Sequence, residues 1–593
     1  MQSAPVIFHS TVRRAITEGC EVFPNSYLVG AKIGPGTSHR AVVAAHGAGV
    51  LRGRLIDDAE AAADVVERND KTTLEELGQD IRGSLTLYVL ELEAQRLSVL
   101  PDPLGGGLVF LWKGAEGYAI SSDLAALVSF LEQIGAGPQK SLEYVAAYVA
   151  TGSGGLVDSS YEDVFALSQF SYIEVSPAGV AIHEYPRKRD FYNSTLSYDD
   201  SLQATQGEIT ANVKAFAESN HSRKVAHLTG GVDSRLVLAS ILSSSKEAEF
   251  AFYCSGGPTE PDKIVAQNLA VEFGLTMTNH GGLESKTVPV TLDDQLLWPF
   301  QHTSGIISGV VHAGNAPTAT AVASGGYGEL FRSFYNKGTA HTGSMQDAAE
   351  RMFGRLAFGV EADRRLLSDG FSHKAQARLA TIIESAATSG VREDARLDFV
   401  YMNRRNRYYV GEISRSLSPF AARFDPLYSL AGASLGLRVD GTMRQANVIG
   451  MDLIERMYPG LSLLPFDTDR FTGAYSDLRG TPDGRPFKRS GSPAFDGAER
   501  MRPDNANNVE GVRPSRSDIE RANKLRMPPR LITQFPAIRD GLKEIITGLP
   551  SGEFASVFNR RAVSLLIDRE PSHRAYYRTA RDLYAALLWY ARG

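Results

Sequence analysis

From Val225 to Ala323 the chain alternates short, mostly apolar runs with longer helical stretches, and this alternation limits the choice of fold more than any other feature. Val225–Leu228, Phe250–Cys254, Leu275–Thr278 and Thr318–Ala323 read as strands, with helices expected over Ser234–Leu242 and Lys263–Phe273. Strand and helix following each other at the period of βαβ units imply a parallel, doubly wound sheet, whose ligand crevice lies outside the carboxyl ends of its strands.

The 593 residues suffice for several such units. Before residue 187 the texture differs. Leu85–Leu92, Leu97–Leu100, Phe110–Trp112 and Tyr118–Ile120 read as short strands, and helical patterns stand at Asp57–Val66 and Leu124–Leu131. Helix Ser141–Thr151 and a strand pair within Tyr172–His183 follow, which together suit a sandwich with helices on its faces. The polar stretch Arg187–Asp200 marks the expected boundary, giving domains 1–195 and 196–593. After Gly343 helical patterns dominate, at Tyr401–Ser416, Leu427–Gly436, Val448–Met457 and Ala575–Ala591. Phe471–Ser515, dense in Gly, Pro, Asp, Asn, Arg and Ser, is too long for a routine connection and reads as either a disordered segment or a lid.

Composition excludes several classes. Lys and Arg number 62 against 68 Asp and Glu, a net charge of −6 that offers no general footprint for nucleic acid. Cys20 and Cys254 are too few for a disulfide scaffold or a cysteine zinc site and suit a reducing, cytoplasmic setting. No apolar run approaches the roughly 20 residues of a membrane helix, and no secretory signal is expected at Met1–Pro5.

The chemistry concentrates at Thr229-Gly230-Gly231-Val232-Asp233-Ser234-Arg235, between an expected strand and an expected helix. Two glycines allow a tight turn that presents N–H groups, Thr229 and Ser234 add hydroxyl donors, and the helix N-terminus adds partial positive charge. Phosphate is the natural guest. No Lys precedes Ser234, which excludes the Gly-x-x-x-x-Gly-Lys-Ser/Thr nucleotide loop. Asp233 would repel bare phosphate but suits a Mg²⁺ ion bridging phosphate oxygens. The same residues taken alone also describe a tight turn capped by Asp and Ser.

This loop resembles the Ser-Gly-Gly-x-Asp-Ser loop of the asparagine synthetase family, with Thr229 for the first Ser. In the same order, Leu74–Gly78, Leu85–Leu92, Arg96–Val99 and Tyr118–Leu127 resemble that family's glutaminase-type domain. Pro261-Asp262 through Gly274 resembles the helix after its second strand, Ser324–Phe331 its second, acidic loop, and Arg407–Phe420 a later helical segment. The resemblance implies an N-terminal αββα sandwich of the Ntn-hydrolase kind, then an ATP-pyrophosphatase domain with a doubly wound parallel sheet and a helical extension. It implies adenylation of a substrate carboxylate by ATP, followed by amide formation with an amine and release of AMP and pyrophosphate. Thr229, Gly230, Gly231, Asp233, Ser234 and Gly326 would bind ATP and its pyrophosphate, with Asp233 and Glu329 as Mg²⁺ ligands.

The departures from the family pattern narrow the expectation. A glutamine-using synthetase needs an N-terminal Cys thiolate, but Gln2 stands there, Cys20 is internal, and Cys254 at a strand end reads as a core thiol. The N-terminal domain is therefore expected to be an inactive scaffold, as in β-lactam synthetase, carbapenam synthetase and lasso-peptide cyclases. Tyr327 in its Gly-Tyr-Gly loop resembles the Tyr that assists amine deprotonation in the β-lactam and carbapenam enzymes, and packing on adenine or core accounts for it equally. Glu412 is the nearest candidate for its acid partner. The family's catalytic Lys is replaced by Arg470, with Lys488 a second candidate. Arg404, Arg405 and Arg407 read as a solvated helix face or as contacts to phosphate or carboxylate. The expected substrate is a small molecule or peptide carrying a carboxylate and an amine, closed within one molecule. A precursor peptide and a leader-processing protease are the expected partners, with neither nucleic acid nor membrane among them. An ammonia-dependent synthetase and an ATP-binding scaffold without turnover are the alternatives.

Overall fold

The computed structural model describes residues 7–11, 19–23, 26–29, 40–91, 93–115, 117–278, 291–307, 320–335, 344–356, 366–418, 421–471, 473–496, 513–569 and 574–592. Its first half holds two six-stranded sheets whose described pairings are all antiparallel. One runs Val164–Ala166, Phe110–Gly114, Gly117–Ser121, Ile7–Thr11, Ser26–Val29, Gly19–Phe23. The other runs Gly179–Glu184, Ser171–Ser176, Arg96–Pro101, Arg82–Glu91, Arg40–Leu51, Arg54–Ile56.

Side-chain alternation within Arg82–Glu91 sets the layering. Leu85, Leu87 and Val89 pack on the helices Ala59–Arg68 and Leu74–Gln79. Tyr88 and Leu90 point the other way, onto Leu111 and Ile120 of the first sheet. Phe110 and Ala119 on that sheet's far side pack on the helices Leu124–Gln133 and Leu142–Thr151. The result is helix, sheet, sheet, helix. Strands covered on both faces read as continuous apolar runs, which is why their positions show clearly in the sequence.

The last antiparallel strand ends at Glu184, and the helix Tyr198–Ala217, capped by the Ser197 hydroxyl, leads into a third, all-parallel sheet. Its order is Ala422–Phe424, Thr320–Ala323, Arg223–His227, Ala251–Tyr253, Thr276–Thr278, Ala494–Phe495. The chain builds outward from Arg223–His227 in one direction, then returns to place Thr320–Ala323 on its other side. The direction of winding therefore reverses between those two strands.

The two halves share apolar packing. Ala48, Val50 and Leu104 of the sandwich join Phe424, Leu427 and Tyr428 in one core. Gly83, at φ +110, lies where a Cβ would come within 2.9 Å of both the Ala48 carbonyl oxygen and the Phe424 ring. The helical extension covers the sandwich's outer helices, where Trp589 packs edge-on to Tyr161 with centroids 5.8 Å apart and its carbonyl accepts from Lys140 Nζ at 2.9 Å.

Two sequence expectations are corrected here. Arg404 and Arg407 do not line a solvated face, being only 1% and 5% exposed. Arg404 donates to the carbonyl of Gly154 at 3.3 Å, and Arg407 donates to those of Gly105, at 3.1 Å, and Leu167, so both tie the helical segment to the sandwich. Arg405 stacks on Tyr409 at 4.2 Å. The Phe471–Ser515 stretch is ordered at least over 473–496, forming the helix Gly473–Arg479 and the sixth strand of the parallel sheet, while 497–512 lie outside the described residues.

Asp102 is also part of the seam, accepting from the Tyr428 hydroxyl at 3.0 Å and the Gly107 N–H at 2.6 Å. Burial pushes its carboxyl from 3.8 up to about 6, against those hydrogen bonds. A carboxyl raised on folding favours the fold below its unfolded pKa, and that contribution is lost as pH rises through the folded one. Relative to Asp102→Asn, the native chain is therefore expected to lose on the order of 2 kcal/mol of stability between about pH 4 and 6. Urea unfolding of both across that window checks this, and parallel pH profiles would refute it.

Candidate functional site

The crevice at the winding reversal is built from the two segments the sequence singled out. Thr229–Gly231 leaves strand Arg223–His227 and enters the helix Val232–Ser243. Gly325–Phe331 follows strand Thr320–Ala323 and contains a short 3₁₀ turn, Gly328–Phe331. A Cβ on Gly325 would lie 3.1 Å from that of Asp233, and one on Gly328 would lie 2.8 Å from the Asp233 carboxyl carbon. The glycines let the two loops touch.

Within the first loop, the Thr229 and Ser234 hydroxyls are 3.0 Å apart, and Thr229 Oγ1 accepts the Gly231 N–H at 3.2 Å. The Gly230 N–H donates to Asp262 Oδ1 at 2.8 Å, so a protein carboxylate holds one donor of the expected cradle. Helix Val232–Ser243 begins at Gly231 with no side chain capping its first turn, so the partial positive charge of its N-terminus is left for a guest.

Asp233 and Glu329 converge on one cation. Arg332 Nη2 lies 3.0 Å from Asp233 Oδ2 and 3.7 Å from Glu329 Oε1. Glu329 Oε2 is buried without a hydrogen-bond partner. Desolvation first, and Asp233 second, push the Glu329 carboxyl up to about 7, with Arg332 opposing. Burial alone would depress the Arg332 guanidinium, yet the two carboxylates hold it above its ordinary value. Among the described residues no three Asp, Glu, His or Cys side chains gather into one cage, so a divalent ion here would take its other ligands from water and phosphate. Gly326 sits against Asp425, where a Cβ would be 2.7 Å from its carboxyl carbon.

Arg470 stands beside the first loop. It is paired with Asp467 at 2.5 Å, and the Asp467 N–H donates to the Gly230 carbonyl at 3.2 Å. Arg470 Nε is buried without a hydrogen-bond partner. Lys488 lies further along, its backbone N–H on Glu272 Oε2 at 2.8 Å. Arg235, absent from the expected site, organises this wall. Its side chain is fully buried, donates to the carbonyls of Leu464 and Pro465 at 2.6 Å each, and lies 3.7 Å above the Phe466 ring. Burial pulls its guanidinium down to about 9. Asp262 was visible in the sequence only as part of a helix start, and Arg332 as the residue after Phe331.

The expected pairing of Tyr327 with Glu412 does not form. Tyr327 is fully buried, at left-handed φ 69, with its hydroxyl 3.3 Å from Ser84 Oγ and its ring centroid 4.9 Å from that of Tyr428. It faces the sandwich, and burial raises its hydroxyl well above the ordinary range, with Asp102 adding to the effect. Glu412 is held on both oxygens by Arg415, which also reaches Asp123 at 3.2 Å. Cys254 is 2% exposed, and burial pushes its thiol up to about 11, matching a core thiol.

No protein-family model and no curated protein matches the chain. Solved structures it matches include one described as the allosteric regulatory enzyme of purine biosynthesis, at 12% identity over 55% of this chain and 75% of that one, with a TM-score of 0.20. Another is glutamine phosphoribosylpyrophosphate amidotransferase from B. subtilis complexed with ADP and GMP, at 11% identity over 55% and 76%, with a TM-score of 0.19. Likenesses this faint say nothing of what the chain does. Among the described residues no helix is long and apolar enough to cross a membrane.

Replacing Arg235 with Leu would strand the carbonyls of Leu464 and Pro465 beneath the crevice wall. The variant is expected to lose about 2–4 kcal/mol of stability. It should also become sensitive to limited proteolysis within 461–471. Denaturant titration and mapping of the first cleavage check both, and native-like resistance would count against Arg235 as the anchor of this wall.

Proposed function

We propose that the chain is an ATP- and Mg²⁺-dependent synthetase that activates a substrate carboxylate as an adenylate and closes an amide with an amine. The observation that carries this reading is the contact between Asp233 and the Gly325–Gly328 segment at the winding reversal, which puts two carboxylates beside an uncapped helix N-terminus. In this reading Thr229, Gly230, Gly231, Ser234 and Gly326 cradle the phosphates. The residues suit a divalent ion, since Asp233 and Glu329 face a shared cation and Glu329 Oε2 lacks a partner. When bound, that ion would offset phosphate charge while a carboxylate oxygen attacks the α-phosphorus and pyrophosphate departs.

Arg470 supplies a fixed positive charge beside the first loop, where negative charge grows on the departing pyrophosphate. Its planar fork replaces the point charge of a lysine. Tyr327 is read as a positioning residue, which holds the second loop against the sandwich. The amine displaces AMP from the activated carbonyl, and closure within one small-molecule or peptide substrate, of the β-lactam or lasso-peptide macrolactam kind, is the reading adopted. In this reading the sandwich serves as a glutaminase-like scaffold, and the domains divide at about residue 195.

Two contacts favour a second reading, an ATP-binding scaffold without turnover. Asp262 takes the Gly230 N–H, and Arg332 takes the place of a cation. Pyrophosphate release separates the two. The synthetase should release pyrophosphate and AMP in equal amounts when given ATP, Mg²⁺ and its carboxylate–amine substrate, and Asp233→Ala should lower the rate by at least about 100-fold with the fold intact by circular dichroism. Full turnover by that variant would refute the assignment of Asp233. Nucleotide binding with no release across a panel of amino-acid and peptide substrates, ammonia included as acceptor, would favour the scaffold.

A further inference from the structure

Two acids at the crevice share one guanidinium, which offsets part of their charge without any guest. Arg332 Nη2 is within 4 Å of both Asp233 and Glu329, and the side chains of all three are about one-quarter exposed. One nitrogen thus sits where a shared cation would sit. An arriving divalent ion must displace it, which separates Arg332 from both carboxylates and leaves its guanidinium needing new acceptors. A bare ion brings none. An ion carried with a nucleotide triphosphate brings several anionic oxygens, to which a guanidinium pairs readily.

Resting on the reading of the crevice as a nucleotide site, we propose that Arg332 is an internal stand-in cation that reserves the Asp233–Glu329 site, so that divalent metal binds only together with a triphosphate. Arg332 thereby couples the two ligands. Metal improves nucleotide binding and nucleotide improves metal binding by the same factor, and removing the guanidinium lets metal bind alone. The orphaned Oε2 of Glu329 agrees with this, because Arg332 engages only the other oxygen and leaves one carboxylate position for a different cation.

Mn²⁺ binding to the full-length chain, followed by electron paramagnetic resonance with and without ATP, tests the proposal. The native chain should bind Mn²⁺ at least about tenfold more tightly in the presence of ATP than without it. Arg332→Ala should bind Mn²⁺ alone about tenfold more tightly than the native chain, and ATP should then add less than about twofold. In thermal unfolding without nucleotide, Mg²⁺ should raise the midpoint of the variant while leaving that of the native chain in place. Should the alanine variant fail to fold, Arg332→Gln carries the same comparison. Mn²⁺ affinity and ATP coupling unchanged in a folded variant would overturn the proposal. Asp233→Ala separates the two levels: if that variant keeps native affinity for Mn²⁺ with ATP, the nucleotide-site reading itself fails.

Discussion

Two carboxylates cannot stay charged side by side in a partly dry crevice without a cation, and much of this architecture is arranged around that constraint. Asp233 is fixed on the first turn of a helix and Glu329 in a 3₁₀ turn, so neither can retreat far. Their approach depends on Gly325 and Gly328, because any side chain at those positions would meet Asp233. The cost of gathering like charges is met in this structure by Arg332. That compensation is incomplete, since burial first and Asp233 second still push the Glu329 carboxyl above its ordinary value.

The second loop is also held from behind. Tyr327 adopts a backbone conformation that side chains other than those of Gly, Asn or Asp rarely take, at a cost of order 1–3 kcal/mol. It persists because the ring is locked against Tyr428 and the hydroxyl against Ser84. Tyr428 in turn reaches Asp102, on the turn that follows strand Arg96–Pro101. The sandwich is thus more than a neighbour: its side chains set the shape of the loop that carries Glu329.

How much of this was legible in the sequence follows from physical locality. Strands buried on both faces, such as Arg82–Glu91, and capped helices, such as Leu142–Thr151 behind Ser141, announce themselves through short-range pattern. The first loop stands out because glycines, hydroxyls and an acid lie between an expected strand and an expected helix, and the second through its resemblance to a family's acidic loop. Contacts between distant segments left no such trace. Arg404 and Arg407 look like a solvated stripe because sequence shows their charge but not the carbonyls of Gly154, Gly105 and Leu167 waiting for them. Tyr327 and Glu412 were paired by analogy, whereas their partners Ser84 and Arg415 depend on packing. Polar composition over Phe471–Ser515 reads as disorder or a lid, but pairing of Ala494–Phe495 with Thr276–Met277 gives part of it a place in the sheet from outside the segment.

The helix Arg574–Arg592 has a consequence for how the molecule is made. Lys140 and Trp589 meet across 449 residues of chain, and the outer helix Leu142–Thr151, on which Phe300 packs earlier, is fully covered only when that late helix arrives. At ribosomal speeds of about 5–20 residues per second, the wait is roughly 20–90 s. During synthesis the core over the outer helices is therefore completed last, and the nascent chain carries some apolar surface that chaperones in the host would be expected to shield.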